Sequence, residues 1–219
     1  MGLFGGTFDP IHRGHIEVAI AVRRRFRLDE ICLVPAAQPP HKRGAAITDP
    51  VDRLAMVRLA AAEQPGFTVS DLELKRQGPS YTIDTVAQVK GLCPPGTRIY
   101  FLLGFDAFLE FNTWKAYNAL LREVPLIVLA RGGACNGVAG EMIADLKRFI
   151  DRHFPAGYRW EAQTGRFVHP DGQPIHFFDG PRLDISATEI RRRIRQGGPA
   201  RPLLSTAVAD YIEKKGLYR

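Results

Sequence analysis

The sequence predicts a doubly wound α/β fold, a parallel sheet with helices on both faces and a small helical part at the C-terminal end. Three observations carry this. Short apolar runs alternate with segments of helical period along most of the 219 residues. The runs "CLV", "YFLL" and "LIVL" are apolar without a break, as suits strands covered on both faces. A β-α-β-α order implies parallel strands joined by right-handed crossovers.

Taken in order, the first strand is expected at residues 1–4 and the first helix at 15–26. There Ile16, Ala19, Ile20 and Val22 form an apolar stripe, with Arg23, Arg24 and Arg25 at a solvated C-terminal end. Residues 30–35, "EICLVP", form the second strand. Asp49 and Pro50 cap a helix over "VDRLAMVRLAAAEQ". Further strands are expected at "FTVSDLEL" from Phe67, at 98–104 and at 125–130. Thr82 opens a helix over "TIDTVAQVK" and Thr113 one over "TWKAYNALL". From Gly132 to Gly180 the pattern loosens into a glycine-rich linker, a helix around 141–153, and aromatic–polar alternation around Thr164-Gly165. The last reads as an irregular hairpin-like insertion at about 155–180 of a single domain spanning 1–219. Helices at 186–195 and 206–215 close the chain.

A chain of 219 residues is long enough to bury a substantial core. Its formal charge of +7 and pI near 9.6 suit an anionic partner such as a nucleotide, pyrophosphate or nucleic acid. Cys32, Cys93 and Cys135 form no C-x-x-C, which excludes a disulfide framework and a zinc ribbon and points to a reducing cytoplasm. No apolar stretch approaches the roughly 20 residues needed to span a bilayer, and no basic region precedes an apolar one at the start. "MGLFGG" places Gly6 where a myristoylation site needs Ser or Thr.

The densest chemistry lies in "GGTFDPIHRGH", residues 5–15. It follows a strand and leads into a helix, where open α/β sheets bind ligands. Gly5 and Gly6 let backbone N–H groups approach a ligand, and the helix start adds orphan N–H donors and partial positive charge. His12 and His15 stand one turn apart and can face one point. The run is neither a Walker A loop nor G-x-G-x-x-G. Two readings stay open on these residues: an oligophosphate site, or a zinc site using Asp9, His12 and His15. His41, His153, His169 and His176 show no ligand spacing that would complete the latter.

"GGTFDPIHRGH" resembles the signature of the nucleotidyltransferase superfamily with the [HT]-x-G-H motif. "ISATEIRRRI", residues 185–194, is similar to that superfamily's I-S-S/T-x-x-R element. "VPAAQPPHK" (34–42), "GPSYTIDT" (78–85), "LLGFDAF" with "TWKAY", and the ending "VADYIEKKGLYR" resemble the bacterial nicotinate-nucleotide adenylyltransferases. The resemblance spans nearly the whole chain and implies a Rossmann-like fold. It also implies transfer of AMP from ATP to nicotinate mononucleotide, giving deamido-NAD and pyrophosphate by direct in-line attack with no covalent intermediate.

Carried over by position, His12, His15, Lys42 and Arg191 would be catalytic. Gly5, Gly6, Thr7, Phe8, His15, Ser186, Thr188 and Arg191 would bind ATP, and Tyr81, Thr82, Gly104, Asp106 and Trp114 would hold the mononucleotide, with its ring on Trp114. Mg²⁺ would arrive with ATP, held by phosphates rather than by protein side chains. The partners implied are ATP and nicotinate mononucleotide, with no nucleic acid and no membrane, and monomer or homo-oligomer left open. Three positions depart from the family pattern: Phe105 stands where Ala is usual and is expected to crowd the pocket, Ala187 removes a hydroxyl, and "RGG" at 131–133 replaces Arg-Pro-Gly. The rival readings are a relative preferring nicotinamide mononucleotide, a nucleic-acid-binding module motivated by the +7 charge, and a zinc hydrolase.

Overall fold

The computed structural model describes residues 1–39, 47–130, 139–181 and 183–219. Within them β1 (Gly2–Gly6), β2 (Ile31–Pro35), β3 (Phe67–Val69), β4 (Tyr100–Gly104) and β5 (Leu126–Leu129) lie parallel in the order 3-2-1-4-5. Three later strands continue the same sheet: β6 (Arg159–Glu161), β7 (Arg166–His169) and β8 (Gly172–Phe178). β8 pairs parallel to β5, and β7 and β6 follow antiparallel. The order reverses between β1 and β4, so their carboxyl ends diverge there and leave a crevice.

Helices cover both faces: α1 (Arg13–Arg25), α2 (Pro50–Ala62) and α9 (Thr206–Lys215) on one, and α4 (Thr82–Leu92), α6 (Tyr117–Glu123) and α7 (Ala139–His153) on the other. Successive strand residues point to opposite faces, so each unbroken apolar run feeds two cores. Leu3, Val34, Phe101 and Leu103 pack with Val86, Leu120, Met142 and Leu146. Phe4, Leu33, Leu102 and Ile127 pack with Ala19, Met56, Val57 and Ile212. Among the described residues no helix is long and apolar enough to cross a membrane.

Two expectations are corrected and a third, the hairpin around Thr164-Gly165, is extended. The strand expected over 67–74 stops at Val69, and Leu72–Lys75 form a helical turn, α3. Asp71 there pairs with Lys75 at 2.8 Å, an i,i+4 geometry that favours a helix over an extended chain. The helix expected from Thr113 is broken. Residues Phe111–Thr113 form a 3₁₀ turn, Trp114 is extended, and Ala116 adopts φ +52°, so α6 begins only at Tyr117. The irregular stretch after residue 155 is two hairpin turns whose final strand, β8, is a full neighbour of β5. Its aromatic–polar alternation reflects a sheet margin with one face less covered.

Candidate active site

Gly5 and Gly6 are the last residues of β1, registered against Val34 and Pro35, so the glycine pair lies inside the strand and ends at the crevice. A Cβ on Gly6 would meet the ring of Phe8 at 2.9 Å, whereas one on Gly5 would make ordinary contact with Phe101. The missing Cβ of Gly6 thus makes room for Phe8. Phe8 itself is 3% exposed at φ +47°, packed edge-on against Phe4 and His15. Its ring is packed into the loop, with almost none of it open to solvent.

His12 caps α1 with extended backbone, and its main-chain N–H donates to Nδ1 of His15 at 3.3 Å. The two imidazoles stack with centroids 3.7 Å apart. With Nδ1 of His15 accepting, Nε2 is the nitrogen that carries a neutral ring's proton. Phe8 meets that ring edge-on at 5.1 Å, so His15 is held by a hydrogen bond, a stack and an aromatic edge.

The second signature reaches the first. Ser186 caps α8 (Ala187–Arg195), its Oγ accepting from the Glu189 N–H at 3.1 Å. Ile185 comes within 3.6 Å of a Cβ built on Gly14. From α8, Arg191 donates through Nη1 to the Asp9 carbonyl at 2.6 Å, across 182 residues of sequence, and through Nη2 to Thr188 Oγ1 at 3.3 Å. Asp9 is 4% exposed. Its Oδ1 accepts from the Tyr218 hydroxyl at 2.7 Å, and its Oδ2 lies 3.9 Å from Arg191. Burial raises the pKa of the Tyr218 hydroxyl, and the charge of Asp9 adds to the rise. Arg192 and Arg193 bind Glu189 instead, whose carboxyl they hold down at about 2. They are neighbours of the site.

A buried arginine braces this loop and was not foreseen. Arg53 has no exposed surface. It donates to the carbonyls of Thr48 (2.9 Å), Thr7 (2.7 Å), Ala36 (2.6 Å) and Ala37 (3.2 Å). Burial lowers its pKa, and the charge of Asp9 works against that shift. One guanidinium thereby joins the chain after β1 to the chain after β2. Ser80 makes a parallel tie: its Oγ accepts from the N–H groups of Ala37 and Gln38 at 3.0 and 3.2 Å, which fastens "PSYT" to the loop that leads into "PPHK". Lys42, Pro40 and His41 lie outside the described residues, as does "RGG" at 131–133.

Beside the glycine pair, between the ends of β1 and β4, is a cavity of about 280 Å³. Thr7, Tyr81, Thr82, Gly104 and Trp114 line it, together with apolar Leu3, Phe101 and Leu103. Nothing comes within 4 Å of a Cβ built on Gly104, which leaves an open floor. Trp114 packs on Phe111 and Phe101 at 5.0 and 6.1 Å between centroids, and its extended backbone carries it to the wall. Tyr81 and Thr82 present the N-terminal end of α4. Asp106 departs from its expected place: it is exposed on the first turn of α5 (Phe105–Phe108) and outside the lining. Phe105 does not crowd the pocket as expected. The turn directs it into the core, where it is 3% exposed. His12, His15 and Arg191 are not among the residues that line this cavity. Among the described residues no three His, Cys, Asp or Glu side chains come together to hold a metal.

A family model described as Cytidylyltransferase-like matches residues 3–193. The chain is 41% identical to a protein of Desulfatibacillum aliphaticivorans named probable nicotinate-nucleotide adenylyltransferase, covering 100% of this chain and 99% of that one. It is 39% identical to one of the same name from Desulfitobacterium hafniense (strain Y51), covering 100% and 95%. Among solved structures, the Plasmodium falciparum nicotinic acid mononucleotide adenylyltransferase complexed with NaAD aligns with a TM-score of 0.72 over 99% of this chain and 96% of that one. At 20% identity that likeness is one of fold.

Proposed function

The chain belongs to the cytidylyltransferase-like family and, within it, to the nicotinate-nucleotide adenylyltransferases, and from that premise we propose how its residues divide the reaction. The enzyme moves AMP from ATP to nicotinate mononucleotide, giving deamido-NAD and pyrophosphate, a step of NAD biosynthesis. The whole chain acts as one nucleotidyltransferase domain. The attacking group is the mononucleotide's own phosphate, whose second pKa of about 6 leaves it largely a dianion at neutral pH. No general base is required. A phosphate oxygen bonds to the α-phosphorus of ATP while the bond from that phosphorus to the bridging oxygen breaks, and pyrophosphate departs in line.

Catalysis is then positioning and charge neutralisation. Nε2 of His15 donates to the α-phosphate as charge develops on it, and His12 fixes the ring of His15. Thr188 and Arg191, with the first turn of α8 capped by Ser186, receive the leaving pyrophosphate. Gly5, Gly6 and Thr7 carry the main chain past the nucleotide, and the charge of Lys42 is assigned to the phosphates. In the cavity, Trp114 stacks on the pyridine ring, and the Thr82 N–H at the start of α4 meets its carboxylate, with Tyr81 beside it. The charge on the ATP phosphates calls for Mg²⁺, which supplies further neutralisation when bound. It enters with ATP, on phosphate and water.

One observation carries this division of roles: Arg191 bonds to the Asp9 carbonyl across 182 residues, uniting two distant phosphate motifs beside a separate, largely apolar cavity. Pyrophosphate release in the presence of Mg²⁺ and ATP tests it, with nicotinate and nicotinamide mononucleotides as alternative acceptors. Release with the acid and far slower release with the amide is the expected outcome, because donors aimed at a carboxylate are poorly paired by an amide. Equal rates overturn the carboxylate pocket at α4. Release with neither overturns the assignment of roles.

A further inference from the structure

Glu73 is a buried charge that the phosphate chemistry does not use. It is 7% exposed and lies on the wall of the 280 Å³ cavity. Its Oε1 accepts from the Thr85 hydroxyl at 2.5 Å, and its Oε2 is buried with no hydrogen-bond partner among the described residues. Among the described lining residues Glu73 is the one acidic side chain and Lys115 the one basic. Lys115 is already engaged: its ammonium pairs with Asp84 at 3.0 Å and stands 4.7 Å over the Tyr81 ring. Arg76 donates to Thr85 Oγ1 at 3.2 Å and to Gln88 Oε1 at 2.8 Å, so it holds the far side of the hydroxyl rather than the carboxylate.

Arg53 and Arg76 are the nearby cations, the first acting on Glu73 only through space and the second through the shared Thr85 hydroxyl, and a carboxylate desolvated with no cation in direct contact is costly to keep. The tie to Thr85 does not need the charge, since a neutral Gln could accept the same hydroxyl hydrogen. The negative charge therefore calls for a positive one, and the cavity is where that charge can come and go. Nicotinate mononucleotide brings it: its ring nitrogen, bonded to the sugar, is a quaternary pyridinium cation.

We propose that Glu73 is a specificity residue that supplies the counter-charge for the pyridinium ring of the acceptor. Trp114, on the same cavity, gives the cation a π face, and Glu73 gives it a fixed anion in low dielectric, where the attraction is strong. The inference rests on reading this cavity as the mononucleotide pocket. It extends that reading from the ring's carboxylate to the ring's own charge.

The test pairs two ligands of one shape. N-methylnicotinate is a pyridinium carboxylate, and benzoate is a six-membered ring carboxylate without the positive charge. Each is measured as a competitor of nicotinate mononucleotide in pyrophosphate release. Wild-type enzyme should bind N-methylnicotinate at least about tenfold tighter than benzoate. Glu73→Gln should weaken N-methylnicotinate about tenfold and leave benzoate unchanged or tighter. Glu73→Asp, which keeps the charge, should restore part of the preference for the cation. Equal weakening of both ligands in Glu73→Gln would make the residue structural and overturn the proposal. An unchanged ratio, or equal binding of the two by wild-type enzyme, would overturn it as well. Failure of both ligands to compete at all, in an enzyme that turns over, would instead overturn the cavity as the mononucleotide pocket and the proposal with it.

Discussion

On the phosphate side of the cleft, His15, Asp9, Arg191 and Tyr218 come from both ends of the chain and are held by hydrogen bonds among polar and charged groups. On the pyridine side, Trp114, Phe101, Leu103 and Gly104 come from neighbouring segments and are held by packing. In the proposed division of roles the first arrangement fixes donors where charge will develop, so it acts on the transition state. The second fits a ring that is the same before and after reaction, so it acts on ground and transition states alike. Substitutions on the two sides should therefore fail in different kinetic parameters.

The largest effect expected is on the phosphate side. His15→Ala should lower kcat by about 10²–10³-fold, the usual cost of one donor aimed at a transition-state oxyanion. The KM for the mononucleotide should stay within about twofold, and the circular dichroism spectrum should be unchanged. A raised KM at normal kcat would erase the distinction between the two sides.

Tyr218→Phe comes next and probes whether the phosphate side is a connected structure. The hydroxyl bonds a 4%-exposed Asp9 at 2.7 Å, and a bond to a charged group contributes about 1.5–3 kcal/mol. A lower Tm and a several-fold fall in kcat should appear together, because Asp9 also anchors Arg191. The pH dependence has a definite sign. The raised Tyr218 pKa keeps its proton in the folded protein, so its contribution is present below the ordinary tyrosine pKa of about 10. It is lost as pH rises beyond that point and the unfolded chain ionises. Thermal unfolding between pH 9 and 11 should fall less steeply for Tyr218→Phe than for the wild type.

The same contrast decides what could be read without coordinates. His12 and His15 sit one helical turn apart, and the resemblance to a known family brings Ser186, Thr188 and Arg191 to the same place, so the meeting of the two motifs was legible. The doubly wound sheet was legible too, since unbroken apolar runs alternate with helical period. The residues that hold the site in place were not. Arg53 and Ser80 bond main-chain groups, which leave no mark in side-chain patterns. Arg53 did leave a trace, for it precedes the buried Met56, Val57 and Ala60 at helical spacing and so lies on the buried face of α2. Glu73 was hidden inside what looked like strand alternation, and only the turn at α3 brings it to the cavity. Phe105 was misjudged for a similar reason: a four-residue helix turns it inward, which no periodicity over so short a span reveals.

The smallest effect, and the one that most sharpens the comparison, is expected at Trp114. The indole both lines the cavity and packs on Phe111 and Phe101, so its removal confounds binding with stability. Trp114→Leu separates them, because leucine keeps apolar contact with those phenylalanines and gives up the π face. Aromatic contact is worth about 0.5–1.5 kcal/mol beyond its area, which corresponds to a rise in mononucleotide KM of roughly two- to tenfold. The indole meets the ring equally before and after phosphate attack, so kcat should hold within about twofold. ATP's KM should not move, since His15 and Arg191 do not line the cavity that Trp114 lines. A matching fall in kcat would mean that ring position is coupled to phosphate alignment, and the two sides would then have to be treated as one.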